Sequence, residues 1–188
     1  GGLALRFTIL TALRSGSVRH ARWDQFDESL TEWTIPAELM KTRNEFVVPI
    51  TLHAREVLLA AKELRTKASQ LVFPSPSNPK KPISDNTMRK LLQTYVPNVT
   101  VHGMRAAFRT WAREDAAAPD DVAEMVLAHS VGSKTVQAYN RAMLVHERHK
   151  LLEQWGMWAM GELELYADPK TRAAEINRRT IQMFANDP

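Results

Sequence analysis

The sequence predicts a mainly α-helical domain with a small three-stranded antiparallel β-sheet, an α+β arrangement. Apolar residues recur at helical spacing through most of the chain, but residues 20–50 hold three short alternating stretches rich in Trp, Phe and Val. The 188 residues, 44% hydrophobic and 24% charged, suffice for one domain with a substantial core.

The apolar run from Leu3 to Leu13 suits a buried helix that stops at Ser15-Gly16. "HARWDQFD", "EWTIP" and "EFVVPI" form the expected meander, with "KTRN" (41–44) turning between its second and third strands. "TLHAREVLLAAKELRTKA" opens on a Thr cap and continues as a helix, and "LVFPSPSNPKKPIS" reads as a Pro/Ser loop. Helices are then expected from Ser84 to Tyr95, His102 to Asp115, and over 119–128, 133–142 and 144–160. Residues 1–168 form the expected main domain. Residues 169–188, set off by Asp168-Pro169, form an amphipathic segment suited either to docking on a neighbouring protomer or to folding back. The Gly1-Gly2 opening, entering a helical pattern at once, reads as the edge of a piece of a longer protein.

Several chemistries are disfavoured at once. Cysteine is absent, which removes disulfides, thiolate nucleophiles and cysteine zinc sites, and makes the cytoplasm the expected location. No apolar run has the length of a membrane span, and no signal peptide is visible. Glycine-rich phosphate loops, G-x-S-x-G and carboxylate pairs for two-metal catalysis are also missing, so neither cofactor nor metal is expected. His146 and His149 share a helical spacing, but "VHERHK" is charged enough to read as a wet helix end.

The net charge of +4 is modest, but its distribution is uneven. Residues 78–113 carry Lys80, Lys81, Arg89, Lys90, Arg105, Arg109 and Arg113 against one acid, Asp85. Such an excess attracts a phosphate backbone, although a solvated helix face would look the same. Lys80, Lys81, Arg89, Lys90 and Arg109 of this stretch, with Arg43 of the hairpin turn, are the candidate DNA contacts.

Four segments hold the groups that could carry chemistry. "VHGMRAAFRTWARE" places His102, Arg105 and Arg109 on one helical face, with Met104, Phe108 and Trp111 roughly opposite. A guanidinium fork suits phosphate, though H-x-x-R alone is common. Arg14 falls where the first helix ends, as a carbonyl cap or an anion ligand, and Lys41 lies on the hairpin turn. In "LAHSVGSKTVQAYNRA", His129 and Tyr139 stand ten positions apart. Val136, Tyr139 and Met143 also have the spacing of a core stripe.

Read in order, these segments resemble the tyrosine recombinase (phage integrase) family, in wording nearest to integrases of temperate phages and genomic islands. "ALRSGSVRHARWDQFD" looks like its first-arginine box, "VHGMRAAFRTWARE" its H-x-x-R box, and "LAHSVGSKTVQAYNRA" its histidine and nucleophile box. The likeness spans about residues 3–145 and implies that family's catalytic-domain fold. It implies Tyr139 as nucleophile, Arg14 and Arg105 as the phosphate clamp, His102 and His129 as flanking imidazoles, and Lys41 as proton donor to the leaving 5′ oxygen. On sequence the two histidines can exchange roles. Ser17 stands where the family usually has an acid.

The implied function is site-specific recombination of DNA through a 3′-phosphotyrosyl intermediate, integrating and excising a prophage or genomic island. The implied partners are double-stranded attachment sites, a homo-tetramer on DNA, and an accessory DNA-bending protein, with no membrane. The isolated domain could be a monomer, and the family's N-terminal DNA-binding domains are absent. The alternatives are a type IB-like topoisomerase, a resolution or inversion recombinase, and a non-catalytic helical DNA-binding module.

Overall fold

The computed structural model describes residues 1–40, 43–129, 141–166 and 168–185, with the side chains of 141–143, 166, 183 and 184 outside that description. Helix α1 (Gly2–Thr11) is the central strut and is buried on most sides, through Ala4, Leu5, Phe7, Thr8, Leu10 and Thr11. Its threonines are tolerated there because Thr8 and Thr11 donate to the carbonyls of Ala4 and Phe7, each at 2.7 Å. After α1, Ala12 takes the left-handed conformation (φ 52°) and the short α2 (Ser15–Arg19) begins.

Strands β1 (Glu32–Ile35) and β2 (Phe46–Pro49) pair antiparallel, with Trp33 opposite Val48 and Ile35 opposite Phe46. The first expected strand does not form. Residues 23–25 wind into a 3-10 turn, held by the Gln25 side chain accepting from the Arg22 amide at 3.1 Å. "HARWDQFD" therefore contributes only isolated bridges, Arg22 to Leu71 and Phe26 to Trp33. The expected Pro/Ser loop instead holds a second small sheet, β3 (Pro74–Ser75) with β4 (Asn78–Pro82). A two-stranded sheet is all edge, where missing proline donors are tolerated.

Among the described residues the remaining α-helices are α3 (Leu52–Glu63), α4 (Asp85–Tyr95), α5 (Gly103–Glu114), α6 (Asp120–Val126), α7 (Arg141–Ala159) and α8 (Pro169–Phe184). The core has two parts. One gathers Phe7, Trp33 and Phe73 around α1, β1, β2 and α3; the other stacks Phe108, Trp111 and Trp155 from α5 and α7, with Val122 and Leu127. The C-terminal end of α1 joins them, Leu13 belonging to the first part and Ala12 to the second. Among the described residues no helix is long and apolar enough to cross a membrane.

Helix α8 packs on α7 of its own chain. It starts on Asp168, which accepts from the Thr171 amide at 2.7 Å, with Pro169 in the first turn. Inside that contact, Arg179 bonds Glu153 of α7 at 3.2 Å, Glu162 at 3.1 Å and Glu175 at 2.7 Å. Glu162 also meets His53 of α3 at 2.8 Å, and Glu153 accepts from the Leu52 amide at the start of α3. His149 is buried and bonds Thr180 at 3.1 Å, so the expected wet helix end is part of this seam. Burial, reinforced by His146, pushes the His149 imidazole down to about 4 and keeps it neutral at physiological pH.

Arg178 and Arg179 hold the Glu175 carboxyl down to about 2. Burial alone would raise Glu162, but His53 and Arg179 hold it below the ordinary carboxylate range. Both carboxyls thus bind protons more weakly folded than unfolded. Their stabilisation is complete above the unfolded carboxylate range and is lost as the pH falls toward the folded Glu175 value of about 2. The thermal midpoint of wild type should fall more steeply in acid than that of Glu175→Gln. Parallel acid slopes would contradict this.

Candidate active site

The candidate site lies where α1, α5 and α6 end or pass one another. Arg105, one turn into α5, is 5% exposed and points inward, although the helix-face reading put it beside His102 and Arg109. Its Nη1 donates to the carbonyl of Ala12 at 2.6 Å and its Nη2 to that of Leu127 at 2.8 Å. Those residues are the C-caps of α1 and α6, so the guanidinium bridges two helix C-termini. Their negative dipole ends offset the cost of burying the charge. Burial first, then repulsion from Arg14, lowers Arg105 to about 10, while Glu124 acts in the opposite sense. Arg105 therefore stays protonated at neutral pH, close enough to Arg14 for their charges to interact.

Arg14 is exposed on the turn between α1 and α2, where it is the N-cap residue of α2. It shares a cleft of about 300 Å³ with Gly16, Ser17, His20, Leu39 and Met40. Met40 immediately precedes Lys41, which itself lies outside the described residues. Ser17 occupies the position expected to hold an acid, and the nearby Ser15 hydroxyl donates to Asp85 of α4 at 3.0 Å. His102 is exposed at the N-cap of α5, one turn before Arg105.

His129 reaches Arg105 through backbone geometry. After α6, Ala128 adopts φ 53°, its amide bonds the Met125 carbonyl at 3.0 Å, and the His129 amide bonds the Glu124 carbonyl at 3.0 Å. This left-handed cap turns the chain back over its own helix. The His129 ring then sits with Nε2 3.3 Å from Arg105 Nη2 and Nδ1 2.6 Å from Glu124 Oε2. Arginine can only donate, so a hydrogen bond between Arg105 and this ring requires the lone pair on Nε2 and the proton on Nδ1, facing Glu124.

Arg109 donates to Glu124 at 2.5 Å and to Asp120 at 2.9 Å, so this candidate DNA contact is engaged by two carboxylates. Arg43, Lys80, Lys81, Arg89 and Lys90 are exposed, the lysines on β4 and Arg89 and Lys90 on α4, whose first residue meets Ser15 beside Arg14. Tyr139, residues 133–140 of the expected 133–142 helix and the Gly132-Ser133-Lys134 turn fall outside the described residues; residues 141 and 142 belong to α7, which runs through the expected break before 144. Sequence reasoning missed Glu124; its one visible signal was an acid in the last turn of a helix that ends just before a histidine. Among the described residues no group of three or more His, Asp or Glu is placed to hold a metal ion.

A model of the phage integrase family matches residues 2–144. The chain belongs to the phage integrase family. Over 149 residues this integrase-family chain is 32% identical to prophage integrase IntA of Escherichia coli K12, covering 78% of this chain and 36% of that protein. It is 30% identical over 173 residues to the integrase of Enterobacteria phage P4, covering 84% of this chain and 39% of the other. The chain thus spans about two fifths of the length of these relatives. In fold it is similar to the lambda integrase catalytic core, with a TM-score of 0.51 and 17% identity over 70% of this chain and 81% of that one. A lambda integrase tetramer bound to a Holliday junction gives 0.52 and 19%, covering 70% and 41%. At these identities the likeness is one of fold.

Proposed function

We propose that the chain is the catalytic domain of a site-specific tyrosine recombinase. It cuts and rejoins double-stranded DNA during integration and excision of a prophage or genomic island. The observation that carries this reading is Arg105, fixed between two helix ends with His129 on one side and the charge of Arg14 acting on it. A preorganised cluster of this kind suits the non-bridging oxygens of a phosphodiester, which gain negative charge under attack.

In this mechanism the Tyr139 oxygen forms a bond to phosphorus while the bond from phosphorus to the 5′ oxygen breaks. Lys41 gives that oxygen a proton and His102 takes the proton of the tyrosine. Arg14, Arg105 and His129 bind the phosphate. The 3′-phosphotyrosyl bond conserves the energy of the cut strand, so a second 5′-hydroxyl reseals it with no nucleotide cofactor. Neither a metal nor a cofactor takes part. The assembly is a homo-tetramer on two attachment sites in the cytoplasm, with Arg43, Lys80, Lys81, Arg89 and Lys90 along the DNA backbone. Handing α8 to a neighbouring protomer in that assembly would first require breaking the Arg179 contacts.

A nicked suicide duplex carrying the attachment half-site tests this. Wild type should accumulate a covalent protein–DNA adduct and Tyr139→Phe none. An adduct that survives the substitution removes the nucleophile assignment, and salt-dependent binding without any adduct indicates a non-catalytic DNA-binding module.

A further inference from the structure

We propose that Glu124 is a positioning residue for this site, fixing the ring and tautomer of His129, with Arg109 bracing its carboxylate. The inference rests on the recombinase reading and extends it to side chains that need not touch the phosphate.

Both carboxylate oxygens of Glu124 are committed, Oε2 to His129 Nδ1 at 2.6 Å and Oε1 to Arg109 Nε at 2.5 Å. The hydrogen bond from His129, then that from Arg109, overcomes the effect of burial and keeps Glu124 below the ordinary carboxylate range, hence ionised. Arg109 is anchored in turn by Asp120 at 2.9 Å. The His129 side chain is 42% exposed, so little packing restrains its ring. In water a neutral imidazole favours the proton on Nε2, the wrong tautomer for the contact with Arg105. A carboxylate at Nδ1 reverses that choice and aims Nε2 at the anion position; on protonation Nε2 becomes the donor to a phosphate oxygen.

Arg109 thereby moves from candidate DNA contact to part of the support for His129.

A double-mutant cycle on the suicide duplex, read as the single-turnover cleavage rate at saturating protein, tests the role. Glu124→Ala should slow cleavage by about 10- to 100-fold, the size of loss seen when the outer carboxylate partner of a metal-bound histidine is removed. DNA half-saturation should be unchanged. Glu124→Gln, whose amide oxygen can still accept from Nδ1, should recover most of the rate, and Arg109→Ala should fall between Glu124→Ala and wild type. In a His129→Ala background, Glu124→Ala should cost nothing further. Equal losses in both backgrounds, or no loss in either, overturn the proposal. Ring nitrogen shifts read the same point without DNA: the share of neutral His129 protonated on Nδ1 should fall from wild type to Glu124→Ala, where only the Arg105 contact still favours it, and an unchanged share also overturns the proposal. Failure of the underlying reading looks different: wild type then forms no adduct, or Tyr139→Phe still forms one.

Discussion

Arg105→Ala should slow strand cleavage by about 10²–10³-fold, equivalent to roughly 3–4 kcal/mol of transition-state stabilisation. The loss should appear in the single-turnover rate more than in DNA affinity, because the charge that Arg105 meets grows during attack. Arg105→Lys separates charge from geometry. Lysine keeps the positive charge, but its single ammonium cannot reproduce a planar fork that bridges the Ala12 and Leu127 carbonyls, which Arg105 reaches at 2.6 and 2.8 Å. We expect Arg105→Lys to remain folded and to cleave far more slowly than wild type. A rate within threefold of wild type would mean that charge alone suffices and that the two helix ends do not aim it. In Arg105→Ala the same carbonyls lose their donor, so circular dichroism on each variant must show a folded domain before its rate is interpreted.

The largest effect on stability is expected from Arg179→Ala. Glu153 is 0% exposed and is held by Arg179 and the Leu52 amide. Removing the guanidinium leaves a buried carboxylate facing other carboxylates, Glu162 and Glu175, that Arg179 had joined. Breaking a buried pair from one side typically costs about 3–5 kcal/mol, which in a domain of this size lowers the thermal midpoint by about 6–20 °C. Arg179→Ala with Glu153→Leu should recover much of the loss, because the stranded charge is then gone. A double variant as unstable as the single one would place the cost elsewhere than in Glu153.

The two sites differ in how far they could be read from the sequence. Arg14, His102, Arg105 and His129 lie in short segments whose order resembles the family's motif boxes, so the candidate site was legible as a list. Its arrangement was not. Helical periodicity placed Arg105 on a face with Arg109, but Arg105 turns inward because two helix C-termini, distant in sequence, meet where its fork can reach them. Arg109 instead finds Glu124 and Asp120 from α6. His149 illustrates the same limit: its neighbours Glu147, Arg148 and Lys150 read as a solvated end, but α8 covers it. The first expected strand failed because a single Gln25 side chain rewarded a 3-10 turn over extension.

The sequence by itself indicated the helical class, most helix boundaries and the candidates for the reactive groups. Local spacing, caps and residue chemistry need no distant partner to be read. Only the tertiary structure decided that Arg105 is buried yet charged, that His129 is held by Glu124, and that α8 is locked by Arg179. Each depends on partners brought together across separate elements: a pair of helix ends around one guanidinium, a left-handed turn that folds His129 back over Glu124, and a carboxylate cluster drawn from three segments around one arginine.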